Sequence, residues 1–244
     1  MTKFLASVDG IQEAEIALAG GADIIDLKNP QDGALGAVSP KVIRETVAFV
    51  AGRRPVSAVC GNLPMEPGTV RAVAEEIAAT KVDFLKIGFL SEREAAICAR
   101  TVAPLSGRVR LVAVLFADKE PDFGLLPVLA ESGFHGAMLD TAAKGKGGLL
   151  DHLPLSRIAR FVDQANSLGL MTGLSGSLGV QDVSRLLPFQ PDFLGFRGAL
   201  CGRSQRSATI DPEAVGQIRA LIPQEYFAEG STNVDHEHRL GGRP

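Results

Sequence analysis

Apolar residues in this chain follow two rhythms that alternate from one end to the other. Short, mostly apolar runs cover residues 3–8, 23–28, 55–60, 83–87, 110–116, 135–139, 170–174 and 192–196. Their length and content predict strands. Between them, apolar positions recur every three or four residues, as at Val42, Ile43, Val47 and Val50, or at Ile158, Phe161, Val162 and Ala165. That spacing predicts helices over 11–19, 40–51, 69–79, 92–102, 125–132, 154–168, 180–187 and 212–221. Asp211 ahead of Pro212 suits the start of the last helix,. A strand-then-helix unit repeated eight times predicts an α/β architecture of the (β/α)8 TIM-barrel type, built as one domain over residues 1–222. A doubly wound open sheet is the alternative, but it needs two protected edge strands and none is evident.

The phrases GGADIIDLK, TKVDFLKIG, ESGFHGAML and FQPDFLGFR echo one another, and three of them place an aspartate at the strand entrance: Asp23, Asp83 and Asp192. This reads as reuse of one turn rather than a solenoid repeat. Residues 223–244 break the rhythm. They are charged, contain Gly241 and Gly242, and place His236 and His238 around Glu237. They are expected to form a flexible tail whose histidines are solvated.

Composition narrows the class. With 45% hydrophobic and 22% charged residues, the chain can bury a large core and remain soluble,. A net charge of -3 gives no nucleic-acid or anionic-membrane footprint,. No apolar run approaches the ~20 residues of a membrane span, and the N-terminus does not read as a signal peptide. A cytoplasmic protein is expected. Cys60, Cys98 and Cys201 have neither disulfide nor zinc spacing and are expected to be buried. No metal site, no nucleotide fingerprint and no cofactor is expected.

The chemistry gathers at strand ends. Residues two apart share a strand face, so Asp26 and Lys28 point with Ile24 while Ile25 and Leu27 point away,. In a barrel, the inward face leads to the site at the C-terminal mouth. Lys86 repeats the placement on the fourth strand and Asp140 on the sixth, with Lys144 four residues later. A structural ion pair at the rim would explain one such pair. Repetition on three strands points instead to carbonyl chemistry, in which a lysine near an aspartate forms a Schiff base.

Two loops read as a phosphate site. The seventh strand runs into Ser175, Gly176 and Ser177 just before a helix, and the eighth into Arg197, Gly198 and Ala199. Glycines there allow close backbone approach, and these are the loops that hold phosphate in many barrels. Arg197 would add a bidentate contact, with Arg203 and Arg206 as further candidates. The expected partner is a small phosphorylated substrate. The sequence leaves homo-oligomerisation open.

The segments GGADIIDLKNPQDGALGA, VDFLKIG, AMLDTAAKGKGGLLD and GFRGALC resemble the (5-formylfuran-3-yl)methyl phosphate synthase family, and the resemblance runs over residues 4–221. It implies a TIM barrel that condenses two molecules of glyceraldehyde 3-phosphate into a phosphorylated furan, with loss of phosphate and water, for methanofuran-type one-carbon carriers. It also implies that Lys28 forms the Schiff base, that Lys86 accepts a proton, and that Asp26, Asp140 and Lys144 belong to the active site. The alternatives are a class I Schiff-base aldolase acting on another sugar phosphate and a non-catalytic barrel that binds a phosphate ligand.

Overall fold

Alternating side-chain directions give each strand of this chain two apolar faces, and closure into a barrel buries both. The computed structural model describes residues 1–90, 92–202 and 205–223. The predicted tail past residue 223, with His236 and His238, and the candidate Arg203 lie outside the described residues. In chain order the elements are β1 (Lys3–Val8), α1 (Ile11–Ala19), β2 (Ile24–Leu27), α2 (Pro40–Val50), β3 (Val56–Val59), α3 (Pro67–Ala78), β4 (Phe84–Phe89) and α4 (Glu92–Val102). They continue as β5 (Arg110–Phe116), α5 (Leu125–Glu131), β6 (Gly136–Asp140), α6 (Leu149–His152), α7 (Leu155–Ser167), β7 (Met171–Leu174), α8 (Val180–Leu186), β8 (Phe193–Phe196) and α9 (Pro212–Leu221). The strands pair in sequence order, all parallel, and β8 returns to β1 to close the barrel. Every predicted strand is present. The short helix α6 was not expected.

The predicted parity holds on β2. Ile25 and Leu27 join the outer core beneath the helices, with Phe4, Ala6 and Val8 of β1. Ile24 joins a separate inner core with Leu5, Val59, Phe84, Met138 and Phe193. Burying one such side chain stabilises by roughly 1.5–3 kcal/mol, so a one-residue slip of β2 would be costly. The inner core is tight. A Cβ at Gly173 would lie about 2.1 Å from the Phe193 ring, so the glycine makes room for that ring.

The helices dock through one stripe each. In α7, Ile158, Phe161, Val162 and Ala165 are buried at helical spacing,. Helix α2 starts at Pro40, where the Ser39 side chain accepts from the Val42 N–H,. The entrance aspartates tie strand to strand. Asp23 accepts from the Phe4 N–H, Asp83 from the Val56 N–H and Asp192 from the Thr172 N–H. The echoed phrases thus encode one device: an aspartate ahead of an even-numbered strand holds the start of the strand before it.

Candidate active site

Register explains the innermost polar cluster. Asp26 of β2 lies level with Ser7 of β1 and Ser57 of β3, all three buried. Ser7 Oγ donates to Asp26 Oδ2 at 3.0 Å, and Ser57 Oγ donates to Oδ1 at 2.5 Å. Lys86 Nζ, from β4, also donates to Oδ1 at 2.6 Å. Burial acts to raise the pKa of Asp26. The ammonium groups of Lys86 and Lys28 and the hydrogen bonds from Lys86 and Ser57 outweigh it, holding the carboxyl below its usual range,. Lys86 is pushed down, first by burial and then by Lys28, against the opposing pull of Asp26. Its ammonium lies 5.8 Å from the Phe193 ring centroid.

A second pair forms at the end of β6. The Lys144 side chain folds back so that Nζ donates to Asp140 Oδ1 at 2.7 Å and to Thr141 Oγ1 at 3.2 Å. The Thr141 N–H donates to the same carboxylate oxygen at 2.7 Å. Burial raises the Asp140 pKa, but Lys144, Lys28 and these hydrogen bonds prevail and bring it down to about 2. Lys144 is lowered by burial and by Lys28, with Asp140 opposing. The turn behind it is held by Asp118, whose carboxylate accepts from the N–H groups of Ala142 and Ala143 at 2.7 and 2.8 Å.

Lys28 stands between the two pairs. Its charge acts on both Asp26 and Asp140, yet among the described residues it forms no ion pair of its own. It borders two spaces. One is a small inner hollow shared with Ser7, Asp26, Lys86 and Asp140, roofed by Ala34 and Leu35 from the loop after β2. The other is an open cavity of about 710 Å³, bordered also by Asp140, Lys144 and the loops after β7 and β8. Lys28 is 8% exposed, against 3% for Lys86.

The predicted phosphate residues divide. Gly176 and Ser177 border the large cavity, as do Gly198 and Ala199. Gly176 has φ +107, and a Cβ there would lie 3.1 Å from Thr141 Cγ2, so a larger residue is strained twice over,. Ser175 borders the cavity too, with its N–H donating to Leu139 O at 2.8 Å and its hydroxyl donating to the same carbonyl at 3.4 Å. Arg197 departs from expectation. Its guanidinium is buried against Glu13 of α1 and donates through both terminal nitrogens to that carboxylate. It also donates to the carbonyls of Ser7, Arg206 and Ala208. With five N–H groups engaged, it has no donor left for a bidentate phosphate contact. Arg206 borders the same cavity as Arg197.

Sequence reasoning passed over Ser7, Ser57, Thr141 and Asp118. The two serines left a usable signal, since each is a polar residue inside an apolar strand and shares a face with the charged positions. Among the described residues no helix is long and apolar enough to cross a membrane. Among the same residues no cluster of three or more His, Cys, Asp or Glu could hold a metal ion. Cys60, Cys98 and Cys201 are free and buried.

The sequence profile of the 4-HFC-P synthase family matches residues 4–219. A protein of Methylorubrum extorquens, provisionally named (5-formylfuran-3-yl)methyl phosphate synthase, is 43% identical over 88% of this chain and 89% of its own. The (5-formylfuran-3-yl)methyl phosphate synthase of Methanopyrus kandleri is 39% identical over 84% of this chain and 92% of its own. That of Methanosarcina mazei is 35% identical over 89% and 98%. Among solved structures, phosphoribosylanthranilate isomerase of Thermotoga maritima superposes with a TM-score of 0.64 at 15% identity, covering 91% of this chain and 98% of its own, a likeness of fold alone. With a family profile spanning nearly all of the described barrel, and relatives of that name along most of its length, the chain belongs to the 4-HFC-P synthase family and is an enzyme of that type.

Proposed function

We propose that this synthase condenses two molecules of glyceraldehyde 3-phosphate into (5-formylfuran-3-yl)methyl phosphate, through an imine at Lys28, with loss of one phosphate and two waters. The atoms balance without an oxidant or reductant, so the work is positioning, proton transfer and elimination. The observation that carries the reading is the place of Lys28. Of the three buried lysines at the mouth, it is the one without a carboxylate partner among the described residues, and it faces both the inner hollow and the open cavity.

In this scheme the Lys28 amine adds to the aldehyde of the first triose phosphate and water leaves. The imine acidifies the neighbouring carbon, and the Lys86–Asp26 pair removes its proton to give an enamine. Lys86 is suited to this by its lowered pKa,. The enamine carbon attacks the second triose phosphate. The Lys144–Asp140 pair, which borders the open cavity with Lys28, protonates departing oxygens, and aromatisation makes the last eliminations favourable. Substrate phosphate is held by Ser175, Gly176, Ser177, Gly198 and Ala199 at the cavity wall. The product then serves synthesis of a methanofuran-type carrier.

The test is incubation of the full chain with glyceraldehyde 3-phosphate alone. The expected result is one inorganic phosphate released per furan chromophore formed, and a product of the stated mass. A new aldol without phosphate release would favour a class I aldolase. Unchanged substrate would favour a barrel that only binds phosphate.

A further inference from the structure

Two phosphorylated substrates bring two dianions into one cavity before any bond forms between them, and the cations that border it are few. Lys144 is tied to Asp140 and Thr141, and Arg197 is spent on Glu13 and three carbonyls. Lys28 lies at the floor, where the carbonyl must go. Arg206 remains. It is half-buried and borders the large cavity together with Lys28 and Lys144, near enough for its charge to act on Lys144 and to feel that of Asp140. Among the described residues its side chain donates one hydrogen bond, from Nη2 to Gly33 O at 3.0 Å. No carboxylate pairs with it there.

Its backbone is held by a buried side chain. Arg197 Nε donates to Arg206 O at 2.8 Å, and Arg197 Nη2 donates to Ala208 O at 2.9 Å. Glu13, the partner of Arg197, also accepts from the Ile210 N–H at 3.1 Å. Cys201 and Ile210 bridge the ends of this loop. The buried Glu13–Arg197 pair is therefore a clamp that presents Arg206 to the cavity, and a preorganised guanidinium loses little freedom when it meets an anion.

Building on the two-substrate reading above, we propose that Arg206 binds the phosphate of the second triose phosphate, separately from the β7 and β8 loops that hold the first. A cavity of about 710 Å³ lies in the range that holds a drug-sized ligand, larger than a single triose phosphate. The contact to Gly33 O places the same guanidinium beside the loop that roofs the inner hollow, so the second substrate is recognised close to the floor where Lys28 reacts.

The test is calorimetric titration with sn-glycerol 3-phosphate, which lacks the aldehyde and does not react, with furan formation followed in parallel. The wild-type chain is expected to bind two molecules. Arg206→Ala should weaken one site by about 10- to 100-fold, the range for a hydrogen bond to a charged group, and leave the other unchanged. Arg206→Lys should retain two sites. The proposal is overturned if Arg206→Ala keeps both sites at wild-type affinity, or if both weaken together in a protein that melts normally. Because binding is read directly, this outcome stands whether or not furan is formed, and absence of furan with two intact sites would count against the reaction alone.

Discussion

At the entrance of the barrel, Asp23, Asp83 and Asp192 accept hydrogen bonds from backbone N–H groups of the preceding strands. At the mouth, Asp26 and Asp140 accept from lysine ammonium groups that border a cavity. The residue type is shared, and β2 carries one of each, with Asp23 at its start and Asp26 within it. What differs is the partner. At the entrance the backbone amide is joined at Asp23 and Asp83 by a guanidinium, from Arg219 and Arg110, which does not give up its proton, so these aspartates fix strand register and have no proton to exchange. An aspartate satisfied by a lysine in a nearly dry pocket keeps a mobile proton within reach of a ligand. Replacing the first kind should cost stability with little effect on chemistry, and breaking a pair of the second kind should cost chemistry as well as stability.

The largest expected effect is at Lys28 itself. Lys28→Arg keeps the charge but cannot form an imine, so furan formation should fall to background while the melting temperature is nearly unchanged. Residual turnover above background would break the assignment. Next comes Lys86→Met, which removes the proton acceptor and should lower kcat by about 10²–10⁴-fold. It also leaves Asp26 buried without its ammonium, so a stability loss of about 3–5 kcal/mol should appear in denaturant titration. A loss of stability without loss of kcat would move Asp26 into the structural set.

Asp140 offers a pH test. Its folded pKa, about 2, lies below the ordinary value of 3.8, so its contribution to stability is complete above about 4. That contribution is lost as pH falls through about 4 towards 2, and amounts to something on the order of 2 kcal/mol. Asp140→Asn should flatten the stability profile in that window, and an unchanged acid profile would contradict the pairing with Lys144. The smallest effect is expected at the entrance. Asp83→Ala removes the acceptor for the Val56 N–H and a half-exposed ion pair with Arg110, and should cost about 1 kcal/mol, with kcat unchanged. A fall in kcat greater than the unfolded fraction explains would blur the division between the two ends.

Much of this was legible in the sequence. The eight strands follow from local pattern, because a barrel strand buried on both faces leaves an uninterrupted apolar run. The parity of Asp26 and Lys28 follows from the two-residue period. Helix α6 was not legible, since four residues are too few to show a helical period, although Asp151 accepting from the Gly148 N–H marks its start. The partners of Arg197 were not legible for a different reason. Its position after β8 is typical of a phosphate contact, but its partner Glu13 lies 184 residues away and meets it only because β8 closes on β1. Ser7 and Ser57 were visible as polar interruptions, and their meaning depends on interstrand register. Asp118 acts on the backbone of the loop after β6, which no local pattern announces.

The central claim is that Lys28 is the nucleophile, and borohydride reduction in the presence of glyceraldehyde 3-phosphate tests it most directly. Peptide mapping by mass spectrometry should place one reduced triose phosphate on Lys28, with Lys86 and Lys144 unmodified. An adduct on Lys86 or Lys144, or no adduct in enzyme that is turning over, would contradict it.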